Sequence, residues 1–252
     1  MELRTQTRKA KAEGEHTLSH ARTHLDAAMA AWDKMPSHRY GADALRLAFS
    51  SRGAVRISKI GCFGLGDLVH AVEDREGEYI APYNVCACRA QHALAFAVRA
   101  ALVRIYREEQ HQDHAGEETE EGERETAAIR LLFQDPTYTD KCRALLTEKG
   151  GEVVGSFGVG GFAEVDEHTL VVSLNPFAPV REIIADVAMP AAMLWRPCVS
   201  EESEERGPGW YVRNADGVAV WHRQYMDDPT TPRVRRLCEG YIKIDIPEDE
   251  HG

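Results

Sequence analysis

The largely apolar run from Ile57 to Phe63 passes straight into Gly64-Leu65-Gly66-Asp67, and this stretch constrains the fold more than any other. A short apolar run stopped by glycines predicts a strand buried on both faces that ends at a tight turn. Runs of the same kind recur at Ala128–Phe133, Glu152–Phe157, Thr169–Leu174 and Ala191–Trp195, with helical periodicity between them. Short buried strands alternating with helices predict an α/β fold: a doubly wound, mostly parallel, Rossmann-like sheet with helices on both faces.

The helical segments fill in this frame. Leu18, Ala21, Leu25, Ala28, Met29 and Trp32 recur at three- and four-residue spacing, which predicts an amphipathic helix ending before Pro36, with a short helix at Ala42–Phe49 after it. Residues 1–52 therefore read as an N-terminal helical extension packed on the core, with 1–14 unstructured, and residues 53–252 as a single α/β domain. After an irregular insertion, Asp67–Pro82, a deeply packed helix is expected over Gln91–Arg107, and then an acidic surface segment over Glu108–Glu125. Thr137 with Asp140 resembles a capping box for a helix that Gly150-Gly151 would end. Asn175-Pro176 opens another helix with Val180, Ile183, Ile184 and Val187 inward. Towards the C-terminus, Trp210–Val212 and Val218–Trp221 flank Asn214-Ala215-Asp216-Gly217 as a hairpin. A helix at Pro232–Cys238 and a strand at Tyr241–Ile246 would complete or cover one edge of the sheet.

Composition narrows the function classes. No apolar run reaches membrane-spanning length and no secretory signal is visible, so a cytoplasmic protein is expected. The six cysteines are scattered except for Cys86-x-Cys88, which matches no zinc spacing and no dense disulfide framework. His16, His20 and His24 share a helical face opposite the apolar stripe and read as solvated side chains, so no metal site is expected. The formal net charge of −11 argues against a generally basic surface. Much of the acid lies in Glu117–Glu125, Glu201–Glu205 and Glu248–Glu250, however, and Arg223, Arg233, Arg235, Arg236 and Lys243 remain candidates for a local basic patch.

In a doubly wound sheet ligands bind outside the carboxyl ends of the strands. The residues expected there are Gly64, Leu65, Gly66 and Asp67, then Asp135, Gly158–Gly161 and Asn175. Glycines after the first strand allow a ligand close approach to backbone N–H groups, but the three-glycine dinucleotide fingerprint would need a glycine where Val69 stands. A plain turn and a phosphate site are both open. Asp135 is placed either to bind ribose hydroxyls or to cap a helix. No Gly-x-Ser-x-Gly elbow, Walker loop or His-Glu-x-x-His motif is present.

The ordered set Ile60-Gly61-Cys62-Phe63-Gly64-Leu65-Gly66, Arg89-Ala90-Gln91-His92-Ala93, Gln134-Asp135-Pro136-Thr137-Tyr138-Thr139 and Pro179-Val180-Arg181-Glu182-Ile183 before Trp195 resembles the sensitivity-to-red-light-reduced (SRR) domain family over about Arg56–Pro197. Many members carry a Pro-His pair after the fourth strand, where this chain has Asn175-Pro176-Phe177, more similar to fungal branches. Fungal proteins of similar appearance include arginine-containing cyclodipeptide synthases. These join arginine and a second amino acid, delivered as aminoacyl-tRNAs, into a diketopiperazine.

That resemblance implies arginyl-tRNA and a second charged tRNA as partners. It implies no cofactor, because an aminoacyl ester is already activated. Asp67 or Asp135 would take a proton from the attacking ammonium, and Gln91 would orient the ester. Backbone N–H groups at Gly64–Asp67 would stabilise the oxyanion, with Leu65, Thr139 and Asn175 beside the substrate. Glu182, Asp186 or Asp67 would hold the arginine side chain, and the basic residues Arg223, Arg233, Arg235 and Arg236 would contact tRNA. Ser58, Ser156 and Ser173 lie in or beside strands without a nucleophile turn. Two other readings stand beside this one: a non-enzymatic regulator of the SRR type, and a nucleotide-cofactor enzyme such as a methyltransferase.

Overall fold

The structure is a computed structural model that describes residues 18–32, 34, 36–49, 55–69, 72–73, 79–80, 83–113, 129–155, 160–198, 209–213, 219–223 and 228–244. Helix α1 covers 18–32 and α2 covers Pro36–Phe49; β1 is Lys59–Phe63, and the short β2 (Val72–Glu73) and β3 (Tyr79–Ile80) pair antiparallel inside the expected insertion. Helix α3 (Tyr83–Asp113) leads to β4 (Arg130–Gln134), α4 (Asp140–Glu148) and β5 (Glu152–Val153). A 3₁₀ turn at Phe162–Glu164 precedes β6 (Thr169–Ser173), α5 (Val180–Val187) and β7 (Ala192–Trp195). The antiparallel pair β8 (Gly209–Arg213) and β9 (Ala219–Arg223) comes before α6 (Pro232–Glu239).

Five strands form one parallel sheet in the order β5-β4-β1-β6-β7. From β1 the chain winds outward through α3 to β4 and through α4 to β5, then crosses back to β6 and winds the other way through α5 to β7. Right-handed crossovers in opposite directions place helices on opposite faces. The core divides accordingly. Ile60 and Cys62 of β1 and Leu170 and Val172 of β6 face one way, towards Leu25 of α1, Phe96 and Leu102 of α3 and Leu145 of α4. Phe63 and Val171 face the other way, towards Phe162, Val180 and Ile184 of α5 and Leu237 of α6. The α/β doubly wound expectation holds.

The differences are local. Helix α3 is 31 residues long, beginning eight residues before the expected Gln91 and running into the segment read as an acidic loop. The cap of α4 is Thr139, whose hydroxyl accepts from the Cys142 N–H at 3.3 Å; Thr137, the expected cap, is turned to Asp135 instead. Strand β5 is two residues long. Residues 241–244 form no strand, and β8–β9 make a separate two-stranded sheet. Expectations for residues 1–14, Ser156 and Gly158 fall outside the described residues. All six cysteines are free thiols, with Cys198 and Cys238 2.8 Å apart at Sγ. No described helix is long and apolar enough to cross a membrane.

Candidate functional site

The winding direction reverses between β1 and β6, so the crevice at the carboxyl ends of those strands is where a ligand would enter such a sheet. Its floor is the loop after β1. Gly64 and Gly66 have φ of +66° and +81°, conformations that L side chains rarely adopt. A Cβ on Gly64 would lie 2.5 Å from Pro176, and one on Gly66 would lie 2.3 Å from the Cys88 sulfur. Both glycines make room for the protein's own atoms, where the sequence suggested room for a ligand. Their N–H groups are also engaged, Gly64 donating to the Gln134 carbonyl at 3.1 Å and Gly66 to Asp135 Oδ2 at 2.7 Å.

Asp135 is an anchor for this loop. Oδ1 accepts from the Thr137 N–H at 2.8 Å and the Thr137 hydroxyl at 2.6 Å, an Asx turn at the end of β4, while Oδ2 holds Gly66. The glycine corner and the acid, 69 residues apart, thus meet at one rim, because β1 and β4 are adjacent parallel strands. Asp67 is held differently. Its Oδ1 accepts from the Val69 N–H at 2.8 Å and the Cys142 thiol at 2.9 Å, and Oδ2 has no hydrogen bond among the described residues. Burial raises the Cys142 thiol pKa, and the bond to Asp67 raises it further.

The first turns of α3 form a wall against the loop. Arg89 is only 2% exposed; its Nε donates to the Leu68 carbonyl at 3.0 Å, and neither Nη1 nor Nη2 has a partner among the described residues. Burial lowers its pKa, with Asp67 among the charges opposing that shift. One turn on, His92 is fully buried between the Cys88 carbonyl, 2.7 Å from Nδ1, and the Tyr138 hydroxyl, 2.8 Å from Nε2. A carbonyl only accepts, so Nδ1 carries the proton and Nε2 accepts from Tyr138. Desolvation holds this imidazole neutral, its pKa lowered to about 4. Burial also raises the Cys88 thiol, with Asp135 and Asp67 adding to the effect. Gln91 has a buried Oε1 without a partner among the described residues.

The other expected site residues are dispersed. Leu65 is packed in the core at 1% exposure. Thr139 touches Cys142, which in turn donates to Asp67, so it borders the site through one intermediary. Asn175 is exposed at the end of β6, and Glu182 sits in the first turn of α5. Asp186, a turn later, is exposed and paired with Arg233 of α6. Val234 and Leu237 turn α6 inward and leave Arg236 exposed, with Arg235 intermediate. Arg223 closes β9, and its side chain lies outside what is described. Ser173 is buried and donates to the Phe63 carbonyl at 3.0 Å.

Arg89 and His92 entered the sequence reading only within a motif. Their three-residue spacing would have put them on one helical face, but only if α3 had been started at Tyr83. Among the described residues no group of three or more His, Cys, Asp or Glu is arranged to hold a metal ion. The family model of the SRR1 domain matches residues 28–204, well over half the chain and reaching back into α1. No curated protein and no solved structure matches the chain.

Proposed function

The chain belongs to the SRR1 domain family, and from that premise we propose that it is an aminoacyl-tRNA-dependent cyclodipeptide synthase joining arginine to a second amino acid. The observation that carries this reading is Asp67, a carboxylate fixed through Oδ1 with Oδ2 free of hydrogen bonds among the described residues, at the rim where the sheet's winding reverses. The reaction needs such a group. An α-ammonium must lose a proton before its nitrogen attacks the ester carbonyl of the other aminoacyl-tRNA; the N–C bond forms as the C–O bond to the ribose breaks, and the ribose oxygen takes the proton. A second aminolysis within the dipeptidyl ester closes the ring.

In this reading Gln91 accepts an N–H from the substrate through its unpartnered Oε1, and Glu182 is the carboxylate for the arginine guanidinium, Asp186 being engaged by Arg233. Asp135 positions the loop. Its Oδ1 accepts twice from Thr137 and its Oδ2 once from Gly66.

Mass spectrometry of metabolites from a host expressing the chain tests the proposal. An arginine-containing diketopiperazine is expected. Asp67→Asn, which keeps the acceptor for Val69, should lower its yield about 10²-fold or more, and in the purified reaction with charged tRNAs RNase should abolish it. Folded protein that gives no product from charged tRNAs overturns it. The second reading, a non-enzymatic regulator, is favoured by one observation: the N–H groups of Gly64 and Gly66 are both taken up within the protein, by the Gln134 carbonyl and the Asp135 carboxylate. It expects a stable protein complex in pull-down and no product.

A further inference from the structure

A guanidinium taken out of water costs several kcal/mol unless its N–H groups find acceptors, so buried arginines are normally tied to carboxylates or carbonyls on every side. Arg89 breaks that pattern. It is 2% exposed, yet of its donors only Nε is accounted for, by the Leu68 carbonyl, while Nη1 and Nη2 have no acceptor among the described residues. Asp67 does not make up the deficit, since its bonded oxygen is held by Val69 and Cys142 and it forms no ion pair with Arg89. The two unpartnered nitrogens form the edge of the guanidinium fork that binds an oxyanion with two parallel hydrogen bonds.

We propose that Arg89 is the anchor of an oxyanion site beside the loop after β1, and that its occupant is a phosphate group of a nucleotide or polynucleotide. The Leu68 carbonyl fixes the plane of the guanidinium, and the loop that carries Leu68 is itself fixed by Gly66 on Asp135. The fork is therefore preorganised before anything binds. Its place at the carboxyl end of β1 is where parallel sheets of this topology present phosphate sites. The choice of phosphate over carboxylate follows from place: the crevice outside the carboxyl ends of β1 and β6, where the winding reverses, is where doubly wound sheets take nucleotides. This inference rests on burial and hydrogen-bond satisfaction and not on the reaction proposed above; it holds for a regulator as well as for a synthase.

The test uses the full chain and two probes, inorganic phosphate and adenosine monophosphate, titrated at constant ionic strength with acetate as the matched control. Saturable stabilisation by phosphate or the nucleotide is expected, with the melting temperature rising by about 5–10 °C at a concentration a hundredfold above Kd. Acetate should have no such effect, and Arg89→Gln should lose it while Arg89→Lys retains part of the electrostatic gain. Should the Gln variant fail to fold, the wild-type arginine side-chain ¹⁵N–¹H resonances decide, since one guanidinium must shift and saturate with phosphate. Absence of any saturable shift, an equal response to acetate, or a full response in Arg89→Gln overturns the proposal. Because neither probe is an aminoacyl ester, failure here leaves the synthase reading standing, and failure of product formation leaves the phosphate site standing.

Discussion

Arg89 and Arg181 are each 2% exposed, and one is as completely partnered as the other is incomplete. Arg181 opens α5. Its Nε donates to Asp228 Oδ2 at 3.0 Å, Nη1 to the Thr230 hydroxyl at 3.3 Å and Nη2 to the Asp228 carbonyl, while its backbone N–H meets Asp228 Oδ1 at 2.8 Å. One residue thus satisfies both the side chain and a helix N-terminal donor. Arg89, on the other face of the sheet, has a single carbonyl. Burial alone therefore does not define a functional arginine, because the fold readily supplies partners where an arginine serves structure. What distinguishes Arg89 is that Nη1 and Nη2 have no partner among the described residues, beside the loop at the carboxyl end of β1.

The sharpest way to break this contrast is to remove Asp228. Asp228→Ala leaves the Arg181 charge buried and stranded, and a loss of about 3–5 kcal/mol is expected, seen as a fall of about 6–20 °C in melting temperature. Adding Arg181→Met should recover much of that loss, because no stranded charge remains. If Asp228→Ala costs under about 1 kcal/mol, Arg181 reaches water and the comparison fails.

The loop beside Arg89 should be nearly as sensitive, which would show that its missing partners are not the result of slack packing. Gly66→Ala places a side chain at a φ of +81° and 2.3 Å from the Cys88 sulfur. Backbone strain of about 1–2 kcal/mol and overpacking of about 1–3 kcal/mol add to an expected loss of roughly 2–5 kcal/mol in denaturant unfolding. Combining it with Cys88→Ala should return the steric share and leave the backbone share. Full recovery in the double variant would mean the loop relaxes out of the left-handed region.

Much of this architecture was legible in the sequence for physical reasons that also mark the limits of the reading. The strands β1, β4 and β6 are buried on both faces, so they appear as unbroken apolar runs. The meeting of Gly66 with Asp135 was accessible too, because both follow adjacent parallel strands. The start of α3 was not, since Tyr83-Asn84-Val85-Cys86-Ala87-Cys88-Arg89 after Pro82 has neither a strong cap nor a continuous apolar stripe. That error hid Arg89 and His92 as a pair. Thr137 and Thr139 both look like caps, and it is the Asx turn of Asp135, which takes the Thr137 N–H and hydroxyl, that leaves Thr139 to cap α4. The basic residues near the C-terminus were read as one patch, yet Arg233 is committed to Asp186, a pairing 47 residues apart in the chain that no local pattern reports.

His92 separates the two regions by pH. Its pKa is lowered from 6.5 to about 4 in the folded protein, so below the ordinary value the unfolded chain binds the proton more readily. The stability that its neutral state contributes is whole above about pH 6.5 and declines as pH falls towards 4, at up to about 1.4 kcal/mol per unit. His92→Gln should flatten this part of the stability profile in urea unfolding across that range. An unchanged slope would mean that His92 is protonated in the fold, with Tyr138 no longer donating to it.

The smallest expected effect, and the most direct statement of the comparison, is Arg89→Met measured without ligand. The substitution removes the bond to the Leu68 carbonyl, worth about 1 kcal/mol, but it also removes a buried charge whose two Nη nitrogens have no partner among the described residues, and replaces it with an unbranched apolar chain of adaptable shape. These contributions oppose each other, so the net change should lie within about 1 kcal/mol of zero, and a modest stabilisation is an acceptable outcome. Residues kept for a ligand rather than for the fold behave in this way, because their interactions are completed only on binding. Arg181→Met lacks that compensation, since it takes the guanidinium donors away from Asp228 Oδ2 and the Asp228 carbonyl. A loss for Arg89→Met as large as that for Arg181→Met would show that the Arg89 fork is already filled by the protein itself, and the distinction between the two arginines would disappear.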